Sequence, residues 1–412
     1  MDNGRLSPEQ ISGLLVSLGS HGESLDTAVL VHDFDRVDIR LDALQSHLPG
    51  ALHSVAVKAQ PLVAVLRHCV RRGFGLECAS AEEVALARAA GCQPERIVFD
   101  GPARTVAELR DALAAGIRLN LDRLDEIDRV AALGLPVGPV GLRVDPGVGE
   151  GKIAATSTSG PRSKFGVPLW THREEVVAAF VRWPWLRGLH VHVGSAGVSV
   201  SQILTGSQRV LELASDIEAA GGCVDTIDVG GGLPVAYRSE DPVFDVGEWA
   251  AGLKALGLPG KRLLVTEPGR WVHAGAGFAV SRVEATKRLG DHRCAVLHIG
   301  ADLLPRRALL PDIWFHDVVV CGPDGRLKES PVEPQALAGP LCFSGDLLAR
   351  DMVLPRIDVG DLVVIRDTGA YALGMWSRHC SRAIPAVWGH HRGSWSVLRK
   401  RETLDDVVRF WS

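Results

Sequence analysis

Lys58 closes the apolar run Val55-Ala56-Val57, a setting in which a charge is costly to bury. Desolvation lowers the pKa of a lysine so placed and makes its amine a nucleophile able to form a Schiff base. The same position also suits a lysine that snorkels to a rim. Gly230-Gly231-Gly232 offers a backbone that can approach a phosphate closely and present N–H groups to it, or a plain tight turn. Arg270, in Glu267-Pro268-Gly269-Arg270, can add a cation to the same phosphate. Glu267 can keep a pyridine nitrogen protonated, which makes such a ring an electron sink, or serve as an ordinary rim carboxylate in an ion pair. His192 can stack flat on a ring, or be a hydrogen-bonded structural histidine like its neighbour His190.

These residues need a common scaffold, and the chain supplies a pattern for one. Eight β-type runs, at 53–58, 75–79, 96–100, 117–121, 140–144, 189–193, 226–229 and 263–266, alternate with helical stretches. Ser80-Ala81-Glu82-Glu83 and Thr105-Val106-Ala107-Glu108 fit capping boxes, and Gly91 and Gly116 fit left-handed helix ends. Eight strand–helix repeats predict a closed (β/α)8 TIM-like barrel, with an open doubly wound sheet as the rival. Active sites of such barrels form at the C-terminal strand ends. There the sequence places Lys58, Glu77, Arg143 and Asp145, then His192, Gly194 and Ser195, the three glycines and Glu267 to Arg270. Past about residue 280, short β-rich runs alternate with Gly/Pro turns, which predicts a second, β-sandwich or β-barrel domain. The expected division is a barrel over 36–280 and a β domain over 281–412, joined by 1–35 with its own β-type run at 28–32.

The totals narrow the class. A chain of 412 residues with 46% hydrophobic and 23% charged side chains is a folded protein too long for one ordinary core. A net charge of −4 gives no electrostatic reason to expect nucleic acid or an anionic membrane as partner. No apolar run reaches the ~18 residues a membrane span needs, and Met1-Asp2-Asn3-Gly4-Arg5 lacks a signal-peptide pattern, so a cytoplasmic protein is expected. The 8 cysteines include no C-x-x-C pair, which argues against a disulfide framework or a metal site.

Taken together, Val57-Lys58-Ala59, Glu77-Cys78-Ala79-Ser80, His192-Val193-Gly194-Ser195, Asp228-Val229-Gly230-Gly231-Gly232 and Glu267-Pro268-Gly269-Arg270 resemble the fold-type III pyridoxal-phosphate decarboxylases. That group holds the ornithine, arginine and diaminopimelate enzymes on an alanine-racemase-like scaffold. Cys342-Phe343-Ser344-Gly345-Asp346 and Gly369-Ala370-Tyr371 continue the likeness, which spans roughly 25–390 and is nearest to the diaminopimelate branch. The resemblance implies pyridoxal 5'-phosphate as cofactor. It implies Lys58 as the lysine bonded to the cofactor and His192 as its stacking partner. Ser195, Gly230, Gly231, Gly232, Gly269, Arg270 and Tyr371 would hold the phosphate, and Glu267 would face the pyridinium. Ser163-Lys164-Phe165-Gly166 and Arg143 would support the site. It further implies a homodimer with shared active sites, in which Cys342 reaches across to protonate the carbanion.

The substrate-facing residues depart from the pattern. Diaminopimelate decarboxylases carry an acid where this chain has Phe343, to grip the distal ammonium. Phenylalanine cannot do so, and an unpaired buried cation costs several kcal/mol. Arg306 matches the arginine that binds a distal carboxylate, with Arg307 beside it, and Asp346 is a further candidate contact. Gly300-Ala301-Asp302-Leu303-Leu304 replaces the usual Gly-Met-Asn-Asp-Leu, Leu310 replaces a tyrosine, and His379-Cys380 a tyrosine–asparagine pair. The expected activity is decarboxylation of an amino acid or amino-acid-headed molecule other than diaminopimelate, in specialised metabolism such as natural-product or siderophore synthesis. Two alternatives stand beside it. An amino-acid racemase on this scaffold would carry an arginine at the pyridine nitrogen, where this chain has Glu267. A non-catalytic pyridoxal-phosphate-binding protein would lack the second domain.

Overall fold

The computed structural model describes residues 5–21, 25–134, 138–148, 158–238, 240–290 and 292–412. In chain order the first ten strands are β1 (Ala28–Asp33), β2 (Leu52–Ala56), β3 (Gly75–Cys78), β4 (Ile97–Asp100), β5 (Arg118–Leu121), β6 (Val140–Asp145), β7 (Val167–Pro168), β8 (Leu186–His190), β9 (Thr226–Asp228) and β10 (Leu263–Thr266). The chain divides into two compact units, one of Arg40–Val235 with Pro242–Val272, the other of Met1–Ile39, Ala236–Asp241 and His273–Ser412.

The first unit is the barrel. Its strands run in the order β5-β4-β3-β2-β10-β9-β8-β6, all parallel, and pairing of β5 with β6 closes the ring, so the rival open sheet is excluded. The two-residue strand β7 extends β6. Strands such as Leu52–Ala56 and Val140–Asp145 are buried throughout, which is why they read as nearly continuous apolar runs. Helices follow their local signals. Thr105 and Glu108 form a complete capping box. Ser80 accepts from the Glu83 N–H, but the Glu83 side chain turns to the Ala79 N–H and leaves that box half made. Gly91 and Gly116 end their helices at φ +85 and +73.

The second unit adds β11 (Gly277–Leu289), β12 (His292–Leu297), β13 (Val318–Cys321), β14 (Val332–Ala338), β15 (Leu347–Pro355), β16 (Leu362–Ile365), β17 (Ala386–His391) and β18 (Ser394–Arg399). They form one mixed sheet in the order β15-β14-β12-β11-β1-β17-β18, with β16 joining β11 to β13. Strand β1 lies antiparallel to β11 and parallel to β17, from Val29↔Ala386 to Asp33↔His390. The helix Pro8–Gly19 turns Ile11, Leu15 and Leu18 onto Val29, Val31, Phe278 and Val364 of this sheet. No helix among the described residues is long and apolar enough to cross a membrane.

Candidate active site

Alternation of side chains along the barrel strands brings Glu77, Asp100, Asn120, Arg143, His190 and Asp228 into the barrel interior. Lys58 stands above them. It lies past the end of β2, on the 3-10 turn Val57–Ala59, which lifts it out of the strand the sequence assigned it to. Its Nζ contacts both carboxylate oxygens of Glu77. Burial pushes the Glu77 carboxyl well above its ordinary range, against the pull of Lys58 and with a further push from Asp100. A carboxyl with that preference is a ready acceptor for the lysine proton, and the transfer leaves a free lone pair on Nζ.

Glu267 follows β10 and is buried. Burial pushes its carboxyl up, but the charges and contacts of His190 and His192, and the Lys58 charge, outweigh it and hold Glu267 well below the ordinary carboxylate range. His190 Nε2 lies 3.6 Å from Glu267 Oε2 and 3.8 Å from Asp100 Oδ2. Burial lowers the His190 pKa, but Glu267 and Asp228 carry it above the ordinary value, so the imidazole carries the positive charge of the pair. Glu267 Oε1 is buried and has no hydrogen-bond donor among the described residues.

His192 sits just beyond β8, two residues past the strand end, and its Nδ1 accepts the Gly231 N–H at 3.1 Å. Burial lowers its pKa, so this ring is neutral where its neighbour is charged. The glycine loop is sterically enforced: a Cβ on Gly231 would lie 2.1 Å from the Glu267 carbonyl oxygen, and one on Gly232 2.1 Å from that of Gly194. Asp228 Oδ1 accepts the Gly230 N–H at 2.9 Å and fixes the start of that loop. Arg270 Nη2 donates to Ser195 Oγ at 3.2 Å, so the cation and the hydroxyl expected at the phosphate meet. A Cβ on Gly269 would come within 2.9 Å of Ala56 Cβ, which explains the glycine next to the Lys58 turn. Arg143 lies 3.8 Å from Asp100 and 4.5 Å over the Phe165 ring, beside the Ser163–Gly166 segment.

The barrel thus brings together Lys58, His192, Ser195, Gly230, Gly231, Gly232, Glu267, Gly269 and Arg270. The remaining candidates lie in the sheet unit. Arg306 stacks between the rings of Trp314 and Tyr371, 4.9 Å from each centroid. Arg307 is buried and donates to the carbonyls of Pro311 and Trp314, at 2.9 and 2.8 Å, which assigns it a structural part. Cys342 and Phe343 are exposed, the Phe343 ring edge-on to His379 at 6.0 Å. Asp346, expected among the substrate contacts, is buried and directs Oδ1 at the Ala301 N–H and Oδ2 at the Leu341 N–H, both at 2.7 Å. Backbone donors take up its carboxylate, so it pins the 300–302 and 339–341 segments.

Sequence reasoning left His190 as a structural neighbour and gave no part to Asp100 or Asp228. Their signal was the strand register: each lies on the inward face of a strand that ends at the active rim.

A family described as "Pyridoxal-dependent decarboxylase, pyridoxal binding domain" matches residues 34–274. A diaminopimelate decarboxylase of Methanothermobacter thermautotrophicus is 32% identical over 86% of this chain and 83% of its own. One of Actinosynnema pretiosum is 34% identical over 93% of this chain and 88% of its own. A crystal structure of diaminopimelate decarboxylase from Helicobacter pylori complexed with L-lysine superposes with a TM-score of 0.85, at 26% identity, covering 93% of this chain and 96% of that one. The residues here fit the cofactor these relatives imply, because a buried, ionised carboxylate oxygen without a donor is what a pyridinium N–H requires. This chain belongs to the fold-type III pyridoxal-phosphate-dependent decarboxylases and is an amino-acid decarboxylase.

Proposed function

We propose that the enzyme decarboxylates an amino-acid-headed substrate other than diaminopimelate, as a cytoplasmic homodimer in specialised metabolism. Pyridoxal phosphate, when bound, supplies an aldehyde for an amine and a ring into which the electrons freed by loss of CO2 delocalise. Lys58 Nζ, after passing its proton to Glu77, would be the amine that holds the aldehyde. Glu267 Oε1 would accept a ring N–H, with His190 opposing protonation of the carboxylate itself. His192 would lie against the ring. The glycines at 230–232, Ser195, Gly269, Arg270 and Tyr371 would hold the phosphate. Cys342 of the partner subunit would supply a proton to the reacting carbon.

The observation that carries the decarboxylase reading is the open, ionised Oε1 of Glu267. An acid at that point favours a protonated ring and release of CO2, where a racemase of this fold uses an arginine. Exposure of Cys342 and Phe343 in the single chain supports a shared site, since both stand free to meet a partner. Phe343 against His379 supports the altered specificity, because that edge offers a distal ammonium no carboxylate. Arg306, held flat by two rings, suits a distal carboxylate or carbonyl. The test is turnover of meso-diaminopimelate by the purified holoenzyme, alongside a mass-spectrometric screen of cell-extract metabolites for loss of CO2. Efficient release from diaminopimelate refutes the proposed specificity, and no release from any metabolite refutes the decarboxylase chemistry of this chain.

A further inference from the structure

Barrels of this kind are normally filled by layers of inward side chains. At the N-terminal end of this one, the filling is one-sided. Leu52, Val98 and Val265, with Leu263 against them, plug the side made by β2, β4 and β10. On the other side, the inward positions of β6, β8 and β9 are Gly141, Gly188 and Thr226. A Cβ on Gly141 would sit 2.6 Å from Asn120 Oδ1, so these glycines bring strands close and leave no side chain to fill the end. The result is a cavity of about 560 Å³ opening at the face opposite the active rim, within the ~300–1,000 Å³ typical of small-molecule sites.

Its lining is largely apolar, with a few placed polar groups. Asn120 and Asp228, joined by a 3.2 Å hydrogen bond, line it where it meets the active-site acids, and Trp185 forms one wall. At the rim Arg187 is neutralised by Asp225 at 2.6 Å. Arg118 is different: its Nε donates to the Glu95 carbonyl, and its two terminal nitrogens have no partner among the described residues. A half-buried guanidinium fork with both tips open is a receptor for a planar anion. With Arg187 already paired to Asp225, the single open guanidinium of Arg118 balances the one charge of a carboxylate and leaves the second charge of a phosphate monoester unpaired.

We propose that this cavity is a second binding site, for a small organic carboxylate that sets its anionic end on Arg118 and a hydrogen-bonding end on Asn120 and Asp228. Burial and the Glu267 charge raise the Asp228 pKa, and the same carboxyl accepts the Gly230 N–H, so an occupant bonded to it is felt at the opposite end of the barrel.

The probe is 4-hydroxybutyrate, which has no amine to engage the cofactor, followed by saturation-transfer NMR on the holoenzyme. Saturable binding at millimolar concentration or tighter is expected. Arg118→Gln should weaken it about tenfold or more, the loss expected for a charge-assisted pair, with cofactor uptake and unfolding midpoint unchanged. Thr226→Leu fills the cavity from a second strand and should abolish binding independently of any effect of Arg118 on folding. No saturable binding, or equal binding by the wild type and both folded variants, overturns the proposal. Inorganic phosphate competing as well as the carboxylate overturns the assigned ligand class.

Discussion

His190 Nε2 stands 3.6 Å from Glu267 Oε2, and neither side chain reaches solvent. Two buried groups that would each be neutral alone hold each other charged, one pKa raised and the other lowered. The carboxylate proposed to face the cofactor's ring nitrogen is therefore kept ionised from behind. Glu267→Gln removes the charge while keeping the shape. Its turnover should fall by about two to three orders of magnitude, in the range for losing one oriented electrostatic group, while cofactor affinity changes little. Steady-state kinetics and cofactor titration by absorbance separate the two, and a variant with wild-type kcat would remove Glu267 from the chemistry.

The Lys58–Glu77 contact makes a second, spectroscopic prediction. Lys58→Ala should lose the visible absorbance of lysine-bound pyridoxal phosphate altogether. Glu77→Gln should retain that band, since the amine remains, yet form it more slowly on adding cofactor to the apoenzyme. A buried glutamine cannot take the lysine proton, and general-base assistance of this kind is worth about 10²–10⁴-fold. Stopped-flow absorbance on the two variants checks it. Identical rates in Glu77→Gln and wild type would leave Glu77 as packing alone.

How much of this was legible beforehand follows from where information sits along the chain. Eight strand–helix repeats, Gly91 and Gly116 as helix ends, and the chemistry of Lys58 and Glu267 are local features that the sequence carries directly. The pairing of β1 with β17 joins residues more than three hundred positions apart and leaves no local trace. Lys58 on a turn, and His192 beyond its strand, depend on where hydrogen bonding stops, which periodicity fixes only to a residue or two. Asp346 illustrates the limit of reading residue type: a carboxylate in a glycine-rich loop looks like a ligand contact until its backbone donors are known.

Asp228 predicts a pH dependence. Burial, then the Glu267 charge, raise its carboxyl well above the ordinary 3.8. Above that value the unfolded chain releases a proton that the folded chain keeps, so this group makes stability fall as pH rises toward the folded pKa. Asp228→Asn deletes that dependence and keeps an oxygen for the Gly230 N–H. Urea unfolding midpoints from about pH 5 to about pH 9 should shift in favour of the variant as pH increases. Glu267, whose pKa is lowered, acts in the opposite sense and is lost only in acid, so it cancels in the comparison. A difference between the two proteins that stays constant with pH would mean that Asp228 titrates as an exposed aspartate does.

Glycine at 231 carries a packing prediction. An added Cβ would fall 2.1 Å from the Glu267 carbonyl oxygen, a backbone atom that cannot step aside as a side chain can. Gly231→Ala should therefore cost about 3 kcal/mol of stability or displace the Glu267 strand end. Either outcome lowers cofactor affinity, read as a higher concentration for half-saturation of the visible band. An alanine variant with unchanged midpoint and affinity would show that the loop has room the geometry denies.

Phe343 offers the sharpest test of specificity, because one residue separates two chemistries. The family resemblance implies an acid at this position to grip an ammonium; here the Phe343 ring faces His379 edge-on at 6.0 Å. Phe343→Glu restores a carboxylate to an exposed loop that Asp346 already pins through Ala301 and Leu341, so the backbone needs no rearrangement. The variant should gain diaminopimelate decarboxylation relative to wild type by about tenfold or more in kcat/KM, the scale set by pairing a cation otherwise desolvated beside an apolar ring. Arg306→Lys in the same background should raise KM with kcat nearly kept, since lysine cannot lie flat between Trp314 and Tyr371. If the wild type already turns over diaminopimelate as fast as Phe343→Glu does, the aromatic residue is no barrier, and the determinant of selectivity must be sought at His379 and Cys380.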